Sequence, residues 1–277
     1  MRIGACVAIE SIASAKKAGF DFVELSAMEL RRMEEREVEL LAERLRQLSV
    51  PALAVNMYCD ETLFTVNSDP DQEAVMGYAE GICRKMHILG MDRLGIGAPS
   101  CRRAEESTGM AAAEKRLLDV YTWSAQTARK YDITVLIEPV NHYFCNVVNT
   151  VGDAERLLTE ASCDHLRLLV DFCHAALQKE KEEDLIAALA GAAHVHVGHQ
   201  NTENMGRDYL RDRDESELTR QMKMLVQAGY RGDISMEAGG KDHVEDGLAA
   251  SAAVLKRCRS EVVGCGRTVG TFLKACE

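Results

Sequence analysis

The sequence predicts a single α/β domain of the (β/α)8 barrel class, and two observations carry that prediction. Eight short runs rich in Val, Ile and Leu (RIGACVAI, FVELSAM, ALAVNMYC, DRLGIGAP, TVLIEPV, LRLLVDF, AHVHVGH and DISMEA) alternate with amphipathic, helix-like stretches. That is the rhythm of buried parallel strands, each followed by a covering helix. Four successive runs also end on an acid or an imidazole: Glu138, Asp171, His196 and Glu237. The C-terminal ends of barrel strands carry chemistry and the opposite face carries stability, so the placement favours a site over packing.

The elements follow in order. The first run starts at Arg2, and its helix stops at AGFD (18–21), where a Gly marks the turn into the second strand. Dense charge from Glu29 to Arg46 reads as a solvated outer face. The third helix is expected to start at Asp69, Pro70 and Asp71, with acids facing the positive end of its dipole. LGMD (89–92) ends it and leads into the fourth run, after which Arg102 and Arg103 fall in a loop. Glu138 closes the fifth run, and Asn141 and His142 follow closely. Asp171 closes the sixth, either facing a site or capping the helix that includes AALQKE. In HVHV, strand alternation puts His194 and His196 on one side, with His196 nearer the mouth and His194 a layer deeper. Arg207, Arg211 and Arg213 sit in the loop beyond, with charge running from Arg211 to Glu217, and AGYRGD (228–233) leads into the last run. The tail after Asp242 supplies a final helix ending near Arg259 and a further segment over 262–274. The expectation is one domain over 1–277, with 260–277 a C-terminal extension that either covers the barrel or serves a homo-oligomer interface.

Composition narrows the function. A net charge of −11, a pI near 5.3 and only 5% aromatic residues oppose a nucleic-acid partner and favour a small molecule. The start MRIGACVAIES has no long apolar stretch, and no window approaches the ~20 apolar residues of a membrane span, so the expectation is a soluble, cytoplasmic protein. Its ten Cys are scattered without a CxxC pair and read as reduced, mostly buried thiols.

Three carboxylates and one imidazole form an oxygen-rich ligand set for one divalent metal, with Mn²⁺ the first choice and Mg²⁺ or Co²⁺ alternatives. Such an ion polarises a substrate carbonyl and acidifies the adjacent C–H. Glu138 and Glu237, three strands apart around the ring, are candidates to remove and return the proton through an enediolate. His174, three residues past Asp171 where a βα loop begins, is a candidate substrate ligand. His142 and Arg207 are others.

IEPVNHY around Glu138, LLVDFCHA around Asp171, HVHVGHQN around His196 and GYRGDISMEAG around Glu237 together resemble the sugar phosphate isomerase/epimerase superfamily. These are the xylose-isomerase-like TIM barrels, and the pattern is nearest to the ketose 3-epimerases such as D-tagatose 3-epimerase. The resemblance spans nearly the whole chain. It implies a divalent metal, usually manganese, on Glu138, Asp171, His196 and Glu237, an acid–base pair of Glu138 and Glu237, and substrate contact at His174. Two positions depart from the ketose 3-epimerase pattern: Phe144 replaces a glutamate six past the first, and Thr202 replaces an arginine six past the metal histidine. The departures imply retained chemistry on a different substrate, with Arg102, Arg103, Arg207, Arg211 or Arg213 as possible compensating anion ligands. The alternative within the superfamily is a lyase of the keto-inositol dehydratase or C-glycoside deglycosidase type, with His142 or His174 assisting the leaving group. An apurinic endonuclease, which needs extra histidines on early strands, and a non-catalytic barrel subunit are minor readings.

Overall fold

The computed structural model describes residues 1–201, 205–238 and 243–273 of the chain. Eight parallel strands close into a barrel: β1 (Ile3–Cys6), β2 (Phe22–Ser26), β3 (Ala52–Asn56), β4 (Arg93–Ile96), β5 (Thr134–Ile137), β6 (Leu166–Asp171), β7 (His194–Val197) and, last, β10 (Asp233–Met236), which pairs with β1. All eight apolar runs supply a strand. A two-residue antiparallel ribbon, β8 (His199–Gln200) with β9 (Arg207–Asp208), stands off the barrel after β7.

The covering helices are α1 (Ile12–Ala18), α2 (Ala27–Arg32), α3 (Glu35–Leu48), α4 (Gln72–Leu89), α5 (Met110–Ala128), α6 (Val151–Ala161), α7 (Phe172–Gln178), α8 (Glu182–Leu189), α9 (Glu215–Gln227) and α10 (Val244–Leu273). Gly19 and Gly90 end α1 and α4 in the left-handed region, at φ 89° and 73°, where Gly carries no Cβ penalty. Asp71 caps α4 by accepting from the Glu73 and Ala74 N–H groups, so that helix starts one residue beyond the expected acids.

The tail differs from expectation, because α10 runs unbroken from Val244 to Leu273 with no stop at Arg259. No Pro falls in that stretch and its Gly residues are isolated, so nothing forces a break. Residues 274–277 lie outside the described residues. Among the described residues no helix is long and apolar enough to cross a membrane.

The core is one aliphatic cluster between the sheet and the helix ring, with Leu94, Ile96, Val135, Val170, Val195 and Ile234 fully or almost fully buried in the strands. At the N-terminal end of the barrel, Asp233 on β10 binds Arg2 at 2.7 Å and Arg93 at 2.8 Å. These charges tie β10 to β1 and β4 on the face away from the loops, leaving the opposite face to the site.

Candidate functional site

Register brings the four residues together. Asp171 pairs across to His196, His196 to Ser235, and the Glu237 N–H donates to Val197 O, so the ends of β6, β7 and β10 lie side by side. Glu138, just past β5, completes the arc, and one ligand atom from each of Glu138, Asp171, His196 and Glu237 lies within 4.8 Å of the others. His196 Nδ1 lies 3.2 Å from Glu237 Oε2, 3.7 Å from Glu138 Oε1 and 3.8 Å from Asp171 Oδ2.

Asp171 does both things its position allowed. Its Oδ1 accepts from the His174 N–H at 2.8 Å and caps α7, while Oδ2 faces the cluster. Gly97 is the close-approach glycine on this side, since a Cβ there would lie 2.6 Å from Glu138 Oε2.

Two buried carboxylates, Glu138 and Asp171, and a partly buried third, Glu237, at this spacing demand a cation. Arg207, carried on β9, answers that demand: its Nη1 donates to Asp171 Oδ2 at 2.7 Å and to Glu237 Oε2. Burial alone would raise the Asp171 carboxyl, but Arg207, His174 and His196 hold it down to about 2. Glu237 is likewise lowered, with Arg207 and His196 outweighing burial.

His174 is pushed down by burial, which favours the neutral ring. Its Nδ1 meets Asn141 Nδ2 at 2.8 Å and its Nε2 meets Arg207 Nη2 at 2.9 Å. A neutral imidazole accepts at one nitrogen only, so these two donors compete for it.

A metal ion fits these residues on one observation above all: His196 Nδ1 is a fully buried polar atom with no hydrogen-bond partner, aimed into the carboxylates. Its other nitrogen, Nε2, is anchored on Glu24 at 3.1 and 3.2 Å. Glu24, in the middle of β2 and 1% exposed, also takes His194 Nε2 at 3.0 Å. His194 bonds Ser235 Oγ as well, so it is the hydrogen-bonded layer beneath the mouth.

Sequence reasoning missed Glu24. A carboxylate inside an apolar barrel strand was the available signal, because buried acids need partners and two inward-facing imidazoles needed one too.

A cavity of about 690 Å³ opens over the cluster, with Glu138, His174, Arg207 and Glu237 at one end. Phe144, from the loop after β5, lines it and lies edge-on to the His174 ring at 6.0 Å. Glu29 also lines it, with Oε2 buried and unpartnered, where the sequence placed only a solvated helix face. The turn from β2 directly into α2 carries it inward.

His142 is not brought to the cavity lining; it is exposed, with Nδ1 2.9 Å from Gln178 Oε1. Of the other arginines, Arg102 is fully buried against Tyr121, and Arg103 donates to the Tyr143 and Phe144 carbonyls at 3.0 and 2.9 Å. Arg211 and Arg213 are also absent from the cavity lining. Thr202 lies outside the described residues.

A family model described as xylose isomerase-like TIM barrel matches residues 12–258. An L-ribulose 3-epimerase of Mesorhizobium japonicum is 21% identical over 277 residues, covering 95% of this chain and 86% of its own. A 3-dehydro-D-guloside 4-epimerase of Escherichia coli is 29% identical over 140 residues, covering 48% of this chain and 49% of its own. Among solved structures, one of L-ribulose 3-epimerase superposes with a TM-score of 0.79 at 16% identity, covering 97% of each chain.

Proposed function

The chain belongs to the xylose isomerase-like TIM barrel family, and from that premise we propose that it is a divalent-metal-dependent sugar epimerase. The observation that carries the reading is the bare, buried His196 Nδ1 among three carboxylates, two of which, Glu138 and Glu237, line a ligand-sized cavity. Glu138, Asp171, His196 and Glu237 are the residues that would hold the ion, manganese before magnesium or cobalt on their chemistry. Bound there, the metal supplies Lewis-acid polarisation of a ketone.

The rest is the work of side chains. Glu138 and Glu237 stand just past β5 and β10, with β6 and β7 between them in the ring. Carboxylates so separated can address a carbon from opposite faces, one taking the α-proton and the other returning one, which inverts that centre. His174, kept neutral by burial, would accept from Asn141 Nδ2 at Nδ1 and donate to a substrate oxygen from Nε2, the nitrogen 3.8 Å from Glu138 Oε1, once Arg207 has turned away from it. Arg207 positions the substrate once a metal takes over the charge of Asp171 and Glu237.

By name, the relatives act on ketoses and on a keto-glycoside, so a ketone-bearing sugar is the common substrate chemistry. They are epimerases, which favours this reading over a lyase. The family model ends at residue 258, which supports one domain with 260–277 as an extension. The eight described free cysteines support a reducing, cytoplasmic setting.

The test is proton NMR in D₂O of the Mn²⁺-loaded protein with ketoses and keto-glycosides, manganese removed before the spectra. Deuterium beside the carbonyl with inversion is expected. Elimination of a group, or no exchange with any ketone, refutes the reading.

A further inference from the structure

We propose that the substrate is a keto-sugar bearing an apolar substituent, an oxidised glycoside rather than a free or phosphorylated ketose; the proposal rests on the epimerase reading above. The cavity is the first reason. At about 690 Å³ it lies within the roughly 300–1,000 Å³ range of pockets that enclose drug-sized ligands, which is more room than a lone monosaccharide fills.

Its walls are the second reason. Beyond the cluster its lining is mostly apolar, with Phe144, Met28, Met57, Met205, Val7 and Pro99 outweighing a polar side formed by Ser26, Glu29, Asn56, Asp60 and Ser100. A free ketose has a hydroxyl on almost every carbon, and each one buried against thioether or phenyl goes unpaired at roughly 1–3 kcal/mol. An apolar group meets no such cost and gains from the contact.

Charge is the third. Among the described lining residues the basic side chain is Arg207, already committed to Asp171 and Glu237. Glu29 and Asp60 line the same cavity, so an anionic tail would meet acid.

The apolar collar is also built rather than incidental. Met57 holds a backbone φ of 49°, a region that bulky L-residues avoid, and keeps its side chain 60% exposed at the cavity. Arg103 fixes the Phe144 loop through two carbonyls. Three methionines give a surface that adapts to groups of varied shape, so the collar selects apolar character over one outline.

The experiment compares kcat/KM for deuterium incorporation by the Mn²⁺-loaded protein on phenyl and methyl 3-keto-β-D-glucopyranosides, D-fructose and D-fructose 6-phosphate. The phenyl glycoside is expected to lead the methyl glycoside by about tenfold or more, chiefly through KM, with the phosphate last. Phe144→Glu combined with Met57→Ser should erase the phenyl advantage, while the melting temperature reports that the barrel is intact. Equal values for phenyl and methyl, or a free or phosphorylated ketose as the best substrate, overturn the proposal. Exchange on D-fructose with none on either glycoside overturns it while leaving the epimerase reading standing. Absence of exchange on all four ketones overturns both.

Discussion

Replacing Glu24 with Gln tests whether the layer beneath the cluster sets its affinity for metal. Glu24 accepts from His196 Nε2 at 3.1 and 3.2 Å and from His194 Nε2 at 3.0 Å, all in a dry interior. Its negative charge favours a proton on Nε2 and so leaves the Nδ1 lone pair free toward Glu138, Asp171 and Glu237. Gln keeps the shape but offers one acceptor oxygen and one NH₂ group. One imidazole then faces a donor, and the charge is gone. Loss of such a partner lowers metal affinity by about 10- to 100-fold, equivalent to about 1.4–2.7 kcal/mol. The assay is free Mn²⁺ by electron paramagnetic resonance in a titration of metal-free protein, alongside thermal melts with and without metal. The melt without metal isolates any loss of fold, and the gain on adding metal should shrink in Glu24→Gln as the affinity falls. A Glu24→Gln protein that melts like the wild type and binds Mn²⁺ within about twofold of it refutes the reasoning.

Arg207→Gln removes a cation that competes for Asp171 and Glu237, so Mn²⁺ should bind several-fold tighter while KM for the sugar rises; a weaker Mn²⁺ Kd in the same titration contradicts this. Gly97→Ala crowds the carboxylate end of Glu138 and makes only an ordinary contact with Val140, so the melting temperature should move little. Displacement of the carboxylate should still lower kcat by at least about tenfold in the deuterium assay, and an unchanged kcat refutes it. Glu180, raised to about 7 by burial from an ordinary 4.5, destabilises the fold increasingly as pH rises from about 4.5 through 7. Glu180→Gln should therefore gain about 1 kcal/mol at pH 8, after discounting for partial exposure, and nothing at pH 4, by urea denaturation. Asp233 runs the other way: burial is outweighed by Arg2 and Arg93, which hold it at about 2 against an ordinary 3.8. Its stabilisation, at most about 2 kcal/mol, is present above pH 4 and lost as pH falls toward 2, a slope that Asp233→Asn should flatten.

The strands were readable because parallel strands buried on both faces leave nothing but apolar runs, and an acid at the end of such a run stands out. Glu138, Asp171, His196 and Glu237 could be listed from that contrast alone. Glu24 could not, since one acid within FVELS looks the same whether it points at solvent or at two imidazoles on a strand 170 residues away. Arg207 was one of several loop arginines. What singles it out is the fold-back of β8 on β9, a two-residue ribbon too short to leave a periodic signal. Phe144 was visible as a departure from a family pattern, yet the three methionines that line the cavity with it come from α2 and two separate loops that only the closed barrel gathers. The unbroken α10 went unseen because helix continuation depends on what the chain packs against as well as on propensity.

Glu237 follows β10, the strand that closes the ring against β1. A polypeptide emerging from the ribosome in N-to-C order exposes Glu138, Asp171 and His196 before the fourth group exists. The set of four is complete only when the final strand has docked, so on the proposed reading an ion would find its full ligand set only in a barrel that has finished folding.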